Sequence, residues 1–122
     1  MRGREIKYRV FVPSLGREML IAYEIDLTKN ANGTCVATCA GYGADGRRQE
    51  FAFNEAAWMA FTGLTDKNGK EIYEGDVVEL RLKNGTPRRL LVTYERGGFH
   101  PRTLFKDHWL VIGNIHQTPD IL

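Results

Sequence analysis

Residues 61–78 read Phe61-Thr62-Gly63-Leu64-Thr65-Asp66-Lys67-Asn68-Gly69-Lys70-Glu71-Ile72-Tyr73-Glu74-Gly75-Asp76-Val77-Val78. The punctuation of this stretch decides the fold class. Asn68-Gly69 suits the two central positions of a type I′ turn, which need positive φ, so 66–70 reads as a hairpin connection. Glu71-Ile72-Tyr73 is then a short strand and Glu74-Gly75-Asp76 a second tight turn, in which Gly supplies the backbone freedom and Asp a carboxylate for nearby N–H groups. From 77 to 82, Val78, Leu80 and Leu82 alternate with Val77, Glu79 and Arg81. A period of two gives a strand one apolar face and one mixed face.

Working outward, the same grammar repeats. Lys83-Asn84-Gly85-Thr86-Pro87 turns the chain again, and 90–94, 104–105 and 109–115 supply further apolar runs. Short alternating runs separated by turns across 62–122 indicate a small β-barrel or roll. Upstream, 6–12 and 19–25 read as strands joined through Pro13-Ser14-Leu15-Gly16, and Asn32-Gly33 closes a polar loop before a third strand at 34–40. Gly41-Tyr42-Gly43-Ala44-Asp45-Gly46 reads as a flexible turn, since it lacks the strand–helix frame of a nucleotide-binding glycine loop. Residues 49–53 alternate weakly. Residues 54–61 are ambiguous: Asn54 as an N-cap and the alanines favour helix, whereas Trp58, Met59 and Phe61 suit a strand.

The chain has 122 residues, enough for one domain or two very small ones. Hydrophobic residues make up 43% and charged residues 26%, which excludes disordered and collagen-like classes. No run is long and apolar enough to span a bilayer, and the first residues, Met-Arg-Gly-Arg-Glu, have no apolar stretch behind them, so no secretory signal is read. The two cysteines, Cys35 and Cys39, fall in one strand-like run. Four residues of strand separate Cα atoms by about 13 Å, too far for a disulfide, so reduced thiols are expected.

Charge is segregated. Residues 1–49 carry eight Lys/Arg against five Asp/Glu, residues 50–79 two against seven, and residues 80–122 seven against three, giving +3, −5 and +4. The last segment interleaves Arg81, Lys83, Arg88, Arg89, Arg96, Arg102 and Lys106 with Tyr94, Phe99, Phe105 and Trp109. Basic side chains meet phosphates and exposed rings stack on bases, so Arg81, Lys83, Arg88, Arg89, Arg96, Phe99 and Arg102 are the candidate nucleic-acid contacts. Gly97-Gly98 before Phe99 suggests a mobile tip presenting that ring. The competing explanation is an ordinary solvated face whose charge is cancelled by the acidic middle segment, with Trp109 in the core.

The acids Glu71, Glu74, Asp76 and Glu79 are dense enough to raise a metal cluster or an acid–base pair, but a carboxylate serving a turn before a strand explains Asp76 more simply. His100, His108 and His116 are spread, and no Cys-x-x-Cys or His-x-x-x-His spacing occurs. Ser14 lies in a turn, without the context of a nucleophile elbow. The expectation is no catalytic residue, no metal, no cofactor and no enzymatic activity.

Arg4-Glu5-Ile6-Lys7-Tyr8-Arg9-Val10-Phe11, the 61–78 stretch, and Val111-Ile112-Gly113-Asn114-Ile115-His116 running to Pro119-Asp120-Ile121-Leu122 together resemble the YopX family of phage and prophage proteins. The middle segment is the specific one: sixteen residues, Thr62 to Val77, follow the family pattern T-G-L-x-D-K-N-G-x-x-I-Y-E-G-D-I nearly letter for letter. Residues 28–57 match nothing and are the variable part. The chain departs from the family at Phe11-Val12-Pro13, where an aromatic-Asp pair is usual, at Gln117-Thr118 in place of Glu-Asn, and at Val92-Thr93-Tyr94 in place of Val-x-Trp. The resemblance implies an SH3-like roll in the C-terminal part, a bacterial cytoplasmic setting, and no established catalytic residue or cofactor.

The expected architecture is mainly β, with an N-terminal β-meander (1–60) packed on a C-terminal SH3-like β-roll or barrel (61–122) and at most one or two short helices. The expected function is a non-enzymatic phage or prophage accessory module that contacts nucleic acid or a nucleoprotein complex. The alternative is a protein-binding or self-assembling module, a homo-oligomer using strand edges or an aromatic groove, with no nucleic-acid contact.

Overall fold

The computed structural model describes residues 7–16, 19–29, 35–81, 85–101 and 109–121. These residues are mainly strand and tight turn, with short 3-10 helices at Pro13–Leu15, Phe53–Glu55 and Pro119–Ile121. Backbone contacts divide the chain into two compact units, Lys7–Met59 and one containing Ala60–Leu122.

The first unit is a meander of β1 (Tyr8–Phe11), β2 (Met19–Lys29), β3 (Cys35–Tyr42) and β4 (Arg48–Ala52), each antiparallel to the one before. The registers Val10↔Leu20 and Cys39↔Phe51 put these side chains on one face. They form a buried cluster with Val12, closed over by Ala22, Ala56 and Trp58. The Trp58 ring lies 5.9 Å from Phe51 and 5.0 Å from Phe53, and its Nε1 donates to the Phe53 carbonyl at 3.0 Å. The indole thus adds apolar area to the core while its one polar atom is satisfied.

Gly41 is not in the expected turn. β3 runs through Tyr42, and Gly41 pairs with Ala22 beside a β-bulge between Ala22 and Glu24. A Cβ at Gly41 would stand 2.7 Å from the Ile21 carbonyl oxygen, so glycine is there for close backbone approach rather than for a bend. Both cysteines lie in β3, as their spacing predicts. Cys39 is buried and reduced, and burial pushes its thiol pKa up.

β5 (Ala57–Thr65) resolves the ambiguous segment as strand after the Phe53–Glu55 turn, where Glu55 Oε1 accepts the Ala52 N–H at 2.7 Å. Met59 and Phe61, two residues apart, are both buried, so the gain from burying alternate residues outweighs the helix preference of the alanines.

In the second unit β5 pairs with β6 (Glu71–Tyr73), then come β7 (Asp76–Arg81), β8 (Pro87–Leu91), the small hairpin β9 (Thr93–Glu95) and β10 (Gly98–His100), and β11 (Leu110–Asn114). β7 lies between β11 and β8. Ile72, Val78, Val92 and Trp109 form the buried cluster, flanked by Leu64, Leu80, Leu90 and Val111. Trp109 belongs to this core and is not an exposed stacking ring. The strand read at 104–105 lies outside the described residues.

The 66–70 connection is not the type I′ turn that Asn68-Gly69 suggests. Gly69 has φ +84° whereas Asn68 stays at negative φ, and the Gly69 N–H donates to the Asp66 carbonyl at 2.9 Å. The Asp66 side chain decides this geometry. Its Oδ1 accepts the N–H groups of Asn68 at 2.8 Å and Lys70 at 2.9 Å, so the turn winds around the carboxylate. The I′ pattern appears instead in the β9–β10 hairpin, at Arg96 (φ +50°) and Gly97 (φ +80°).

Candidate nucleic-acid interface

The register of β7 and β8 places the arginines. Glu79 faces Arg89 and Arg81 faces Pro87, on one side of the sheet; Leu80 faces Arg88, on the other. Arg88 and Arg89, adjacent in sequence, therefore point to opposite sides, and Arg81 shares a side with Arg89. Arg81, Arg88, Arg89 and Arg96 are all exposed. Lys83, Arg102 and Lys106 lie outside the described residues.

Among the described residues, Arg89 is the arginine of this set spent on the fold. Arg89 Nε donates to Glu79 Oε2 at 3.0 Å, and its Nη1 donates to the Ile121 carbonyl at 3.0 Å. It clips the end of the chain to the sheet. Arg81, Arg88 and Arg96 have no such partner among the described residues. Arg96 occupies the first central position of the β9–β10 turn, in the left-handed region where Asn or Gly is the cheaper residue.

The acids of the middle segment are tied into the fold. Asp66 and Asp76 are buried. Asp66 Oδ2 accepts the Val111 N–H at 3.0 Å in addition to its two turn bonds, and Asp76 Oδ2 accepts the Tyr73 N–H at 2.8 Å. Burial pushes the Asp66 pKa up, but the N–H donors of Val111, Lys70 and Asn68, with the Lys70 charge, outweigh it and hold the carboxyl below its ordinary value. Glu71 Oε1 takes the Tyr73 hydroxyl at 3.2 Å, and Glu74 Oε1 the Ala60 N–H at 3.4 Å. Each acid of the 71–79 run meets a group of the protein itself. Among the described residues no cluster of three His, Cys, Asp or Glu side chains is arranged to hold a metal ion.

The aromatic residues divide as well. Tyr73 is buried against Phe61 at 5.3 Å. Tyr94 and Phe99 face each other across the hairpin, with ring centroids 4.9 Å apart at 70°. The exposed ring is Tyr94, at 48%, while Phe99 is half-buried and buttresses it edge-on. The mobile tip expected at Gly97-Gly98 is a tight two-residue turn, and Tyr94, not Phe99, is the ring it leaves open.

A second exposed aromatic pair was not legible from the run of residues. On the outer face of the first unit, Tyr23 and Tyr42 stack with centroids 4.8 Å apart at 18°, the Tyr23 hydroxyl donates to that of Tyr42 at 3.2 Å, and Arg48 Nε donates to the Tyr23 hydroxyl at 3.3 Å. Ile21 lies beside Tyr42 in register and is 40% exposed. Ile21 and Tyr23 share a face by alternation along β2, and the register Ile21↔Tyr42 brings Tyr42 to that face, a relation of two strands that neither run shows alone.

At the end of β11 the run Gly113 to Thr118 is structural. Buried Asn114 accepts the N–H groups of His116 at 3.0 Å and Gln117 at 2.8 Å on Oδ1, and donates from Nδ2 to Gln117 Oε1 at 2.8 Å. His116 is thus tied into a turn through its backbone.

The model of the YopX family, described as YopX protein, matches residues 7–122. Two solved structures share the fold. Protein EF1440 from Enterococcus faecalis superposes with a TM-score of 0.64 at 24% identity, over 98% of this chain and 99% of that one. Protein yopX from Bacillus subtilis superposes with a TM-score of 0.57 at 19% identity, over 95% and 97%. No curated protein matches. No helix among the described residues is long and apolar enough to cross a membrane.

Proposed function

The chain belongs to the YopX family, and we propose that it is a non-enzymatic binding module that contacts nucleic acid through its second unit, as a phage or prophage accessory protein in the bacterial cytoplasm. The observation that carries this reading is the asymmetry of charge use. Arg81, Arg88 and Arg96 are exposed with no side-chain partner among the described residues, whereas the acids at 66–79 are turned onto backbone N–H groups, a tyrosine and Arg89. Exposed arginines attract phosphates by releasing their counterions, here from both sides of the β7–β8 pair. The exposed Tyr94 ring, braced by Phe99, adds a stacking surface on the same hairpin as Arg96.

The test is fluorescence anisotropy of the full chain with labelled single- and double-stranded DNA and RNA at two salt concentrations. Binding that weakens steeply as salt rises, and that drops on replacing Arg81, Arg88 and Arg96 together by alanine, supports the reading. Absent or salt-independent binding to every probe overturns it.

A further inference from the structure

β4 ends its sheet: it pairs with β3, and among the described residues no strand lies on its other side. Its residues Arg48 and Glu50 are exposed and share one face, the face of Tyr42, which pairs with Arg48. The Arg48 Nη1 lies against Glu50 Oε1. Nearby, Arg47 Nε lies 4.0 Å from Asp45 Oδ2. This patch is therefore electrically balanced, unlike the arginines of the second unit, and has no long-range pull on a polyanion. Two stacked, exposed tyrosines with an isoleucine beside them and charges of both signs around them have the composition of a protein contact.

We propose that β4 is the edge at which a second copy of this chain joins, antiparallel, about a two-fold axis at Gln49. In that register Arg48 of each copy stands opposite Glu50 of the other. Each strand's own charge pair is exchanged for two cross-strand pairs on the tyrosine face. Centring the axis on Glu50 would set Glu50 against Glu50, and centring it on Arg48 would set Arg48 against Arg48. The alternation of signs along β4 thus admits one register and opposes its neighbours, which is how charged edges restrict pairing. The two Tyr23–Tyr42 stacks then lie on one continuous face. The inference uses the first unit alone and does not rest on the nucleic-acid reading.

The experiment is sedimentation velocity of the full chain over a concentration range, with far-UV circular dichroism to verify folding. The wild type is expected to dimerise reversibly. Glu50→Arg and Arg48→Glu are each expected to weaken the dimer about tenfold, because attraction across the edge becomes repulsion at two positions. An equimolar mixture of these two variants should regain association, since one edge is then all basic and the other all acidic. A pair that acted only within its own strand would give no such recovery. A wild-type chain that stays monomeric overturns the proposal and leaves the edge to a strand of another protein. A dimer that neither variant weakens, or a mixture no better than its parts, overturns it equally.

Discussion

Asp66 Oδ2 accepts the backbone N–H of Val111 at 3.0 Å, across 45 residues of chain. The other oxygen of the same carboxylate organises the turn at 66–70. One side chain therefore shapes a local hairpin and also satisfies a donor of β11, a strand paired on one side with β7. The neighbouring Lys67 N–H donates to the Trp109 carbonyl at 3.0 Å, so the turn serves as a short edge partner for the start of β11. Asp66→Asn should keep the two Oδ1 bonds and set an NH2 group against the Val111 N–H. The expected loss is about 1.5–3 kcal/mol, the range for a buried hydrogen bond to a charged group, read as a lower urea midpoint with unchanged slope.

The same carboxylate gives the protein an acid limb. Burial acts to raise its pKa, but the three N–H donors and Lys70 prevail, so the folded-state value lies below the unfolded value of about 3.9. Its stabilising contribution is therefore complete above the unfolded value and is lost as pH falls through the folded one. Urea titrations from pH 7 downward should show wild-type stability falling below about pH 4, and Asp66→Asn should fall less over the same interval. Parallel curves for the two proteins would remove Asp66 as the source.

Gly113 has a different reason for being glycine than the turn glycines. A Cβ there would run into the Thr118 hydroxyl and stand 2.8 Å from Ile121 Cδ1. Thr118 is held in place by the Asn114 N–H at 3.1 Å and by donation to the Asn114 carbonyl at 2.9 Å, so it has little room to yield. Gly113→Ala should destabilise by about 1–3 kcal/mol, the usual cost of overpacking. Gly98→Ala, where nothing lies within 4 Å of the added Cβ, should stay within about 0.5 kcal/mol in the same thermal melt.

Arg88 and Arg89 separate function from fold in adjacent positions. Arg89→Ala removes the Glu79 pair and the bond to the Ile121 carbonyl; its guanidinium is half-exposed, so the loss should be about 0.5–1 kcal/mol. Arg88→Ala should leave stability unchanged and weaken nucleic-acid binding, lowering the log–log salt slope by about one. Equal effects of the two on binding would show that Arg88 contacts nucleic acid no more than Arg89 does.

What could be read from the sequence follows physical range. Turn chemistry and alternation are local, so the strand from 77 onward, the β6–β7 turn and the pairing of β1 with β2 were all legible. The choice at 54–61 was not, because Met59 and Phe61 are buried by tertiary packing, which outweighs the preference of Ala56 and Ala57. Gly41 was misread because its glycine answers a neighbouring strand, not its own backbone angle. The basic residues were found by composition, but their sides depend on register: the Glu79↔Arg89 pairing is a fact of two strands together. The Tyr23–Tyr42 stack depends on the β2–β3 register, which the periodicity of neither strand announces.

Arg96 offers the sharpest separation of stability from binding. It sits at φ +50° in a two-residue hairpin turn, where a side chain with a Cβ is strained and Asn is the favoured residue. Arg96→Asn should raise stability by about 0.5–1 kcal/mol, since the same turn is then made by a better turn former. The substitution should at the same time weaken salt-dependent binding of nucleic acid, because it removes an exposed cation from the hairpin that carries the Tyr94 ring. Thermal melts and anisotropy on one preparation measure both. A variant that gains stability and loses no affinity would place Arg96 outside the contact surface and leave Arg81 and Arg88 to carry it.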